Sequence, residues 1–376
     1  MIAEGNKPVS QGRNLVLCCD GTANQFAQDR TNVVKLFYCL KQDSDRQIAY
    51  YHPGVGTMEP AGALSNWERK ITRLRGLAFG YGLDRDIADA YTFLMNFYQP
   101  GDRVFLFGFS RGAYTARAVA SLVHMYGLLP AGNVAFVPYA VRMLTGVQSS
   151  DKSTKEQAFA LASQFRDTFD PARRCPLHFV GVWDTVSSVG WIGNPLHLPH
   201  TADNSAILHG RHAVAIDERR AFFRTNLWLP DYSSQDAGPK DMKQVWFPGT
   251  HCDVGGGYPE AESGLSKIAL EWMLKEAEAL GLVCDPVRKE TMLGQRGGGY
   301  VKPDPDAKPH KSLQGLWHVA EYVPKKRYDH VTKITSWQMN RGKPRTWPPQ
   351  PYIHTAAYDR GDEYAKRFPA DAIKID

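Results

Sequence analysis

Residues 102 to 129 read "DRVFLFGFSRGAYTARAVASLVHMYGLL", and this stretch constrains the fold of the chain more than any other. Its apolar centre predicts a strand buried on both faces. The alanine-rich run that follows predicts a helix beginning near Arg111. Between the two there is room only for a tight turn through Gly108, Phe109, Ser110, Arg111 and Gly112. Such a turn forces unusual φ/ψ values on its central residue, and flanking glycines relieve the crowding where strand and helix pass close together. A strand running straight into a helix is the unit of α/β folds.

The rest of the chain repeats that unit. "NLVLCC" at 14–19 reads as a buried strand, followed by the turn and cap residues of "DGTANQ" and a helix over "TNVVKLFYCL". "QIAYYHPGV" at 47–55 predicts a second strand, stopped by Pro53 and Gly54. Residues 56–82 read as a glycine-rich excursion over the active face. A helix over 84–98 has Asp84 as its expected N-cap. Residues 140–172 are expected to form a helical insertion acting as a lid or cap. "PLHFVGVWDTV" at 176–186 is a strand ending in Asp184, and 190–210 is a loop. "HGRHAVAIDERRAFFRTN" at 209–226 is expected to be helical. Gln244 to Phe247 is a strand followed by His251 and Asp253, and "SGLSKIALEWMLKEAEALGL" is an amphipathic helix closed by Gly281.

The expected architecture is therefore α/β and α/β-hydrolase-like. A mostly parallel sheet is flanked by helices, and helical and loop insertions form a cap. Residues 1–285 make the core, with the insertion at about 140–172. Residues 286–376, rich in Gly, Pro and Lys, make an irregular extension packed on it.

In such sheets sites form beyond the carboxyl ends of the strands, and these strands end in Asp20, Ser110, Asp184 and His251. The pattern at 108–112 is G-x-S-x-G, the nucleophile elbow, in the strand-to-helix setting that the motif requires. The alternative is a serine that caps the helix. A serine nucleophile needs a base, and the base an orienting acid. Asp184 and His251 follow Ser110 in the order usual for α/β-hydrolases. A second pair, Asp253 with His354 in "PYIHTAAYDR", satisfies the same order, and both remain open. Asp253, ahead of three glycines, also suits a turn-pinning role. The oxyanion donors are expected to be the N–H of Arg111 and one from "DGTAN", Gly21 or Thr22. Asp20 would order that loop as an Asx-turn residue. A metal held by Asp20, Asp184, His251 and Asp253 would be Mn, Mg or Ca rather than zinc. No spacing demands one, and no metal or other cofactor is expected.

Composition excludes several classes. Apolar residues make up 43% and charged residues 22%, ordinary for a folded protein, and a formal net charge of +6 spread along the chain does not mark a nucleic-acid binder. None of the six cysteines forms a C-x-x-C pair, which speaks against zinc, and Cys18 and Cys19 sit in an apolar run as small hydrophobes. The first residues lack the apolar region of a Sec signal peptide, and no run of about 18 apolar residues is present. The expected location is the cytoplasm of the producing cell.

The blocks "LVLCCDGTANQ", "GFSRGAYTARAVA", "VGVWDTVSSVG", "HAVAIDERRAFF" and "WFPGTHCDVGGGY" together resemble an α/β-hydrolase family first catalogued as a domain of unknown function. It includes the catalytic domains of one class of type VI secretion phospholipase effectors. The similar blocks span about residues 14–275. The resemblance implies a serine esterase or lipase acting on glycerophospholipids as a phospholipase A. It also implies a triad of Ser110, Asp184 and His251, with Cys252 standing where the family often has serine. Expected partners are a lipid or small ester substrate, a transient membrane-surface contact, and a secretion or immunity partner. The expected export route is signal-independent. Competing readings are a non-catalytic α/β-hydrolase-like interaction module and a metal-dependent phosphoesterase.

Overall fold

The computed structural model describes residues 12–21, 30–43, 45–54, 82–147, 152–169, 175–186, 190–191, 194–195, 198–228, 239–315, 317–328 and 335–376. Eight strands form one sheet: β1 (Asn14–Cys19), β2 (Gln47–His52), β3 (Arg103–Phe109), β4 (Leu177–Trp183), β5 (Ile207–Ala215), β6 (Asp241–Phe247), β7 (Tyr352–His354) and β8 (Ile373–Ile375). Their spatial order is β2-β1-β3-β4-β5-β6-β7-β8. Every neighbouring pair is parallel. Chain order reverses between β1 and β3, and the carboxyl ends of those two strands frame the crevice where doubly wound sheets place their ligands.

The apolar runs follow from this placement, since a parallel sheet covered on both faces needs apolar side chains on both sides of each strand. Leu15, Leu17, Leu106, Val180 and Val182 pack on one face. The helices there are α1 (Leu83–Phe97), α2 (Arg111–Tyr126), α3 (Val137–Gly146) and α4 (Lys152–Phe169). Val16, Phe105, Phe107, Phe179 and Trp183 pack on the other. That face is covered by α5 (Asn32–Cys39), α6 (Gly264–Ala279) and α7 (Pro286–Met292). Ala162 and Phe165 of α4 and the buried side of α3 share the core of the first face, where α3 packs on α1 and α2 and α4 on α2.

Four expectations change, the first being that Ile207 to Gly210, expected to end a loop, already lie in β5. Residues 209–226 are not helical: their first half lies in β5, between β4 and β6. His209, Arg211 and His212 obscure the strand signal, yet each has a partner. Arg211 bonds Asp241 and Glu276, His209 faces Asp241, and His212 faces Gln244. Asp84 is not an N-cap; Gly82, with φ 91°, holds that position and α1 starts at Leu83. In the tail, β7 and β8 add to the edge of the main sheet, so residues beyond 286 are not wholly irregular. By contrast Thr31 caps α5 by accepting from the Val34 N–H, as a threonine before a helical run should. Most of the 56–82 excursion lies outside the described residues.

Leu106 is fully buried at the centre of the sheet. Leu106→Ala should lower the free energy of unfolding by about 2–5 kcal/mol. The check is a lower urea midpoint with an unchanged slope.

Candidate active site

Ser110 joins β3 to α2 with φ 58° and ψ −118°, a strained conformation for a residue with a Cβ. Its N–H donates to the Trp183 carbonyl at 3.1 Å, and its carbonyl accepts from the Tyr114 N–H at 3.3 Å. The side chain makes no capping hydrogen bond to α2, so the structure does not use Ser110 as an ordinary cap. The flanking glycines answer to space. A Cβ on Gly108 would lie 2.4 Å from the Gly112 carbonyl oxygen, and one on Gly112 would lie 2.1 Å from that of Cys19. The start of α2 thus presses directly on the end of β1, and its N-terminal dipole points at the region over Ser110.

Register brings the next two residues alongside. Phe109 pairs with Trp183 across β3 and β4, and Trp183 with Ala213 across β4 and β5. Asp184 leaves β4 with φ 38° and is completely buried. Its Oδ2 lies 2.6 Å from His251 Nδ1, and its Oδ1 accepts from the Ala215 N–H at 2.9 Å. His251 opens the short helix His251–Gly255 after β6, where Thr250 and Asp253 form a capping box. Its ring lies between Phe109, 4.6 Å away centre to centre, and Phe223, at 4.8 Å in an edge contact. His251 is therefore packed against the residue that precedes Ser110.

The charges follow from this geometry. Burial acts to raise the Asp184 carboxyl, but the Arg345 guanidinium and the His251 hydrogen bond outweigh it and hold the group well below the ordinary carboxylate range. Arg345 grips both carboxylate oxygens and also donates to the carbonyls of Ala215 and Phe223. Burial pushes His251 below its ordinary value, partly opposed by Asp184. A carboxylate only accepts hydrogen bonds, so the neutral imidazole carries its proton on Nδ1, and Nε2 is left as an acceptor.

The loop after β1 borders Ser110. A Cβ on Gly21 would lie 3.4 Å from Ser110 Cβ. Asp20 accepts from the Gly21 N–H, Thr31 Oγ1 and Tyr51 Oη at 2.7, 2.7 and 2.8 Å, which is the loop-ordering role expected of it. Burial raises its carboxyl to about 6. The Gly21 N–H is thereby engaged, and Thr22 lies outside the described residues. Among the described residues no group of three or more His, Cys, Asp or Glu side chains could hold a metal ion, so Asp20, Asp184, His251 and Asp253 do not converge on one point.

The alternative pair is not assembled. Asp253 bonds Thr250 and, at 2.6 Å, His310 Nδ1. His354 stacks on Phe247 and accepts from the Ala356 N–H. Asp253 thus pins a turn, and His354 belongs to the sheet edge. Cys252 is packed, and burial pushes its thiol up to about 12. Sequence reasoning missed Arg345, Glu218 and Phe223. Glu218 accepts from the His251 N–H at 3.3 Å and from Ser312 Oγ at 2.9 Å. Glu218 and Phe223 lie in a stretch expected to be helical, and Arg345 in a tail rich in Gly, Pro and Lys; no local pattern marks any of them.

A parallel sheet with Ser110 on a strained strand-to-helix turn, and a buried pair of Asp184 at the end of β4 and His251 after β6, defines an α/β-hydrolase-like protein. The profile of the type VI secretion phospholipase effector Tle1-like catalytic domain matches residues 13–276, and the chain belongs to that family. An uncharacterized protein of Saccharomyces cerevisiae is 37% identical over 229 residues, covering 59% of this chain and 33% of that protein. An uncharacterized Pseudomonas aeruginosa protein of known structure is 21% identical, with a TM-score of 0.47 over 74% of this chain and 47% of that one. The Tle1 effector bound to the VgrG spike of the type VI secretion system is 20% identical, with a TM-score of 0.35 over 68% and 52%. The chain thus spans about a third of the yeast protein and about half of each solved chain. Among the described residues no helix is long and apolar enough to cross a membrane.

Gly112→Ala should destabilise the protein by about 1–3 kcal/mol, since the new methyl group has only backbone to displace. A denaturation midpoint equal to wild type would show that the turn has room for the methyl group.

Proposed function

We propose that this chain is a serine hydrolase of carboxylic esters, a phospholipase A acting on glycerophospholipids. The observation that carries the reading is the 2.6 Å pairing of His251 Nδ1 with the buried Asp184 carboxylate, beside the strained Ser110. In the first step His251 Nε2 takes the proton of Ser110 Oγ as Oγ attacks the ester carbonyl. Asp184 stabilises the imidazolium that forms. The oxyanion falls to the Arg111 N–H at the start of α2; the second donor is Gly21, whose N–H Asp20 now accepts, or Thr22. His251 then protonates the leaving alcohol, and water activated by the same imidazole releases the fatty acid from Ser110. Membership of a phospholipase effector family favours a lipid ester over a soluble one. It also supports contact with a membrane surface, a secretion partner, and export without a Sec leader.

Wild-type protein should be labelled by a fluorophosphonate probe and should release fatty acid and lysophospholipid from vesicles, read by mass spectrometry. Ser110→Ala should abolish both. Hydrolysis that survives Ser110→Ala and stops with EDTA would instead support a metal-dependent phosphoesterase. A folded wild type that labels no better than Ser110→Ala would leave the interaction-module reading.

The pH dependence has a fixed sign. Catalysis needs neutral His251, and burial lowers its pKa. The acid limb of kcat/KM should therefore lie below about pH 6.5, the ordinary histidine value. A limb at higher pH would mean that His251 is not the base or is solvated in the working enzyme.

A further inference from the structure

We propose that Arg345 is a positioning residue for the Ser110 hydrolase, fixing the rotamer and charge of Asp184 so that Oδ2 faces His251. The proposal rests on the serine hydrolase reading above. It makes the chain beyond residue 276, where the family match ends, part of the reacting unit.

The geometry is that of a clamp. The two terminal nitrogens of Arg345 take the two oxygens of Asp184, Nη2 to Oδ2 at 3.0 Å. A bidentate fork of this kind fixes the plane of a carboxylate, which one point charge cannot do. The same nitrogens hold the Ala215 carbonyl, whose residue also donates its N–H to Asp184, and the Phe223 carbonyl, whose ring rests on His251. Arg345 thus touches the acid directly and the wall of the base through one residue. Its side chain is 8% exposed, so little water competes for these bonds.

The clamp has an electrostatic consequence that simple bracing of the tail would not have. Among the described residues, the titratable groups facing the His251 and Asp184 pair are Glu218, Arg220, Arg345, His212 and the Cys252 thiol, which burial keeps neutral. Glu218 and Arg220 bind each other at 2.9 Å. His212 is buried, is held by Gln244, and has its pKa pushed down to about 3 by that burial. Among the described residues, Arg345 is the cation left to balance Asp184. With it in place the acid and its clamp sum to no net charge, and the imidazole is protonated less readily. Without it, a bare buried carboxylate would favour the imidazolium and draw His251 into its charged form at higher pH.

Three proteins test this: wild type, Arg345→Met and Arg345→Lys, assayed on a short-chain aryl ester across pH after circular dichroism shows each to be folded. Arg345→Met should lower kcat on the order of 100-fold, the cost of a misplaced catalytic group, with KM little changed. Its acid limb should move to higher pH, and the His251 imidazole titration followed by NMR should move the same way. Arg345→Lys keeps the charge and loses the fork, so it should retain the wild-type limb at a reduced kcat. Should Arg345→Met not fold, the Lys variant decides: a wild-type kcat would overturn the proposal. An Arg345→Met protein with wild-type kcat, limb and titration would overturn it as well. So would activity lost only in proportion to the unfolded fraction. A wild type with no Ser110-dependent turnover would overturn the hydrolase reading and this one with it, which separates the two failures.

Discussion

A carboxylate with no exposed surface is tolerable only where positive charge and hydrogen-bond donors surround it, and Asp184 is the point at which the chain meets that requirement. It receives an N–H from the end of β5, a ring nitrogen from the helix after β6 and a guanidinium from the tail. Three segments far apart in sequence therefore converge on one side chain. Removing a partner would leave a buried charge poorly compensated, so the carboxyl ends of the central strands, the 217–223 loop and the tail are bound to a common arrangement.

The turn at Ser110 depends on a second constraint, the close approach of backbone to backbone at the start of α2. Gly112 lies against the end of β1, and Gly108 lies against Gly112. Ser110 is held at positive φ by its neighbours and gains no capping bond in return. Strain of this kind persists only where the surroundings enforce it. Here the sheet on one side and α2 on the other do so, in the crevice where the strand order reverses.

The fold was legible wherever the local pattern was pure. β1, β3 and β4 read as apolar runs because both sheet faces are covered, and α5 was announced by its threonine cap. β5 was misread because Arg211 and the histidines beside it looked like a polar helix face. Their partners, Asp241, Glu276 and Gln244, lie on other elements and are invisible locally. The strands of the tail are three residues each and carry no periodicity to detect. Likewise Asp253 and His354 satisfied the required chain order, but order does not encode distance: one went to His310 and the other to Phe247.

Sequence alone determined the strand–turn–helix around Ser110, because an apolar run joined to a helix by two glycines has few backbone solutions. It also determined which reactive residue types end the strands, since those follow directly from the apolar runs. Tertiary structure decided which acid meets which histidine, and that Arg345 closes over the acid. Those outcomes depend on strand order, register and the return path of the tail, which bring together residues 67 and 161 positions apart. Spacing within any one segment carries no information about such contacts.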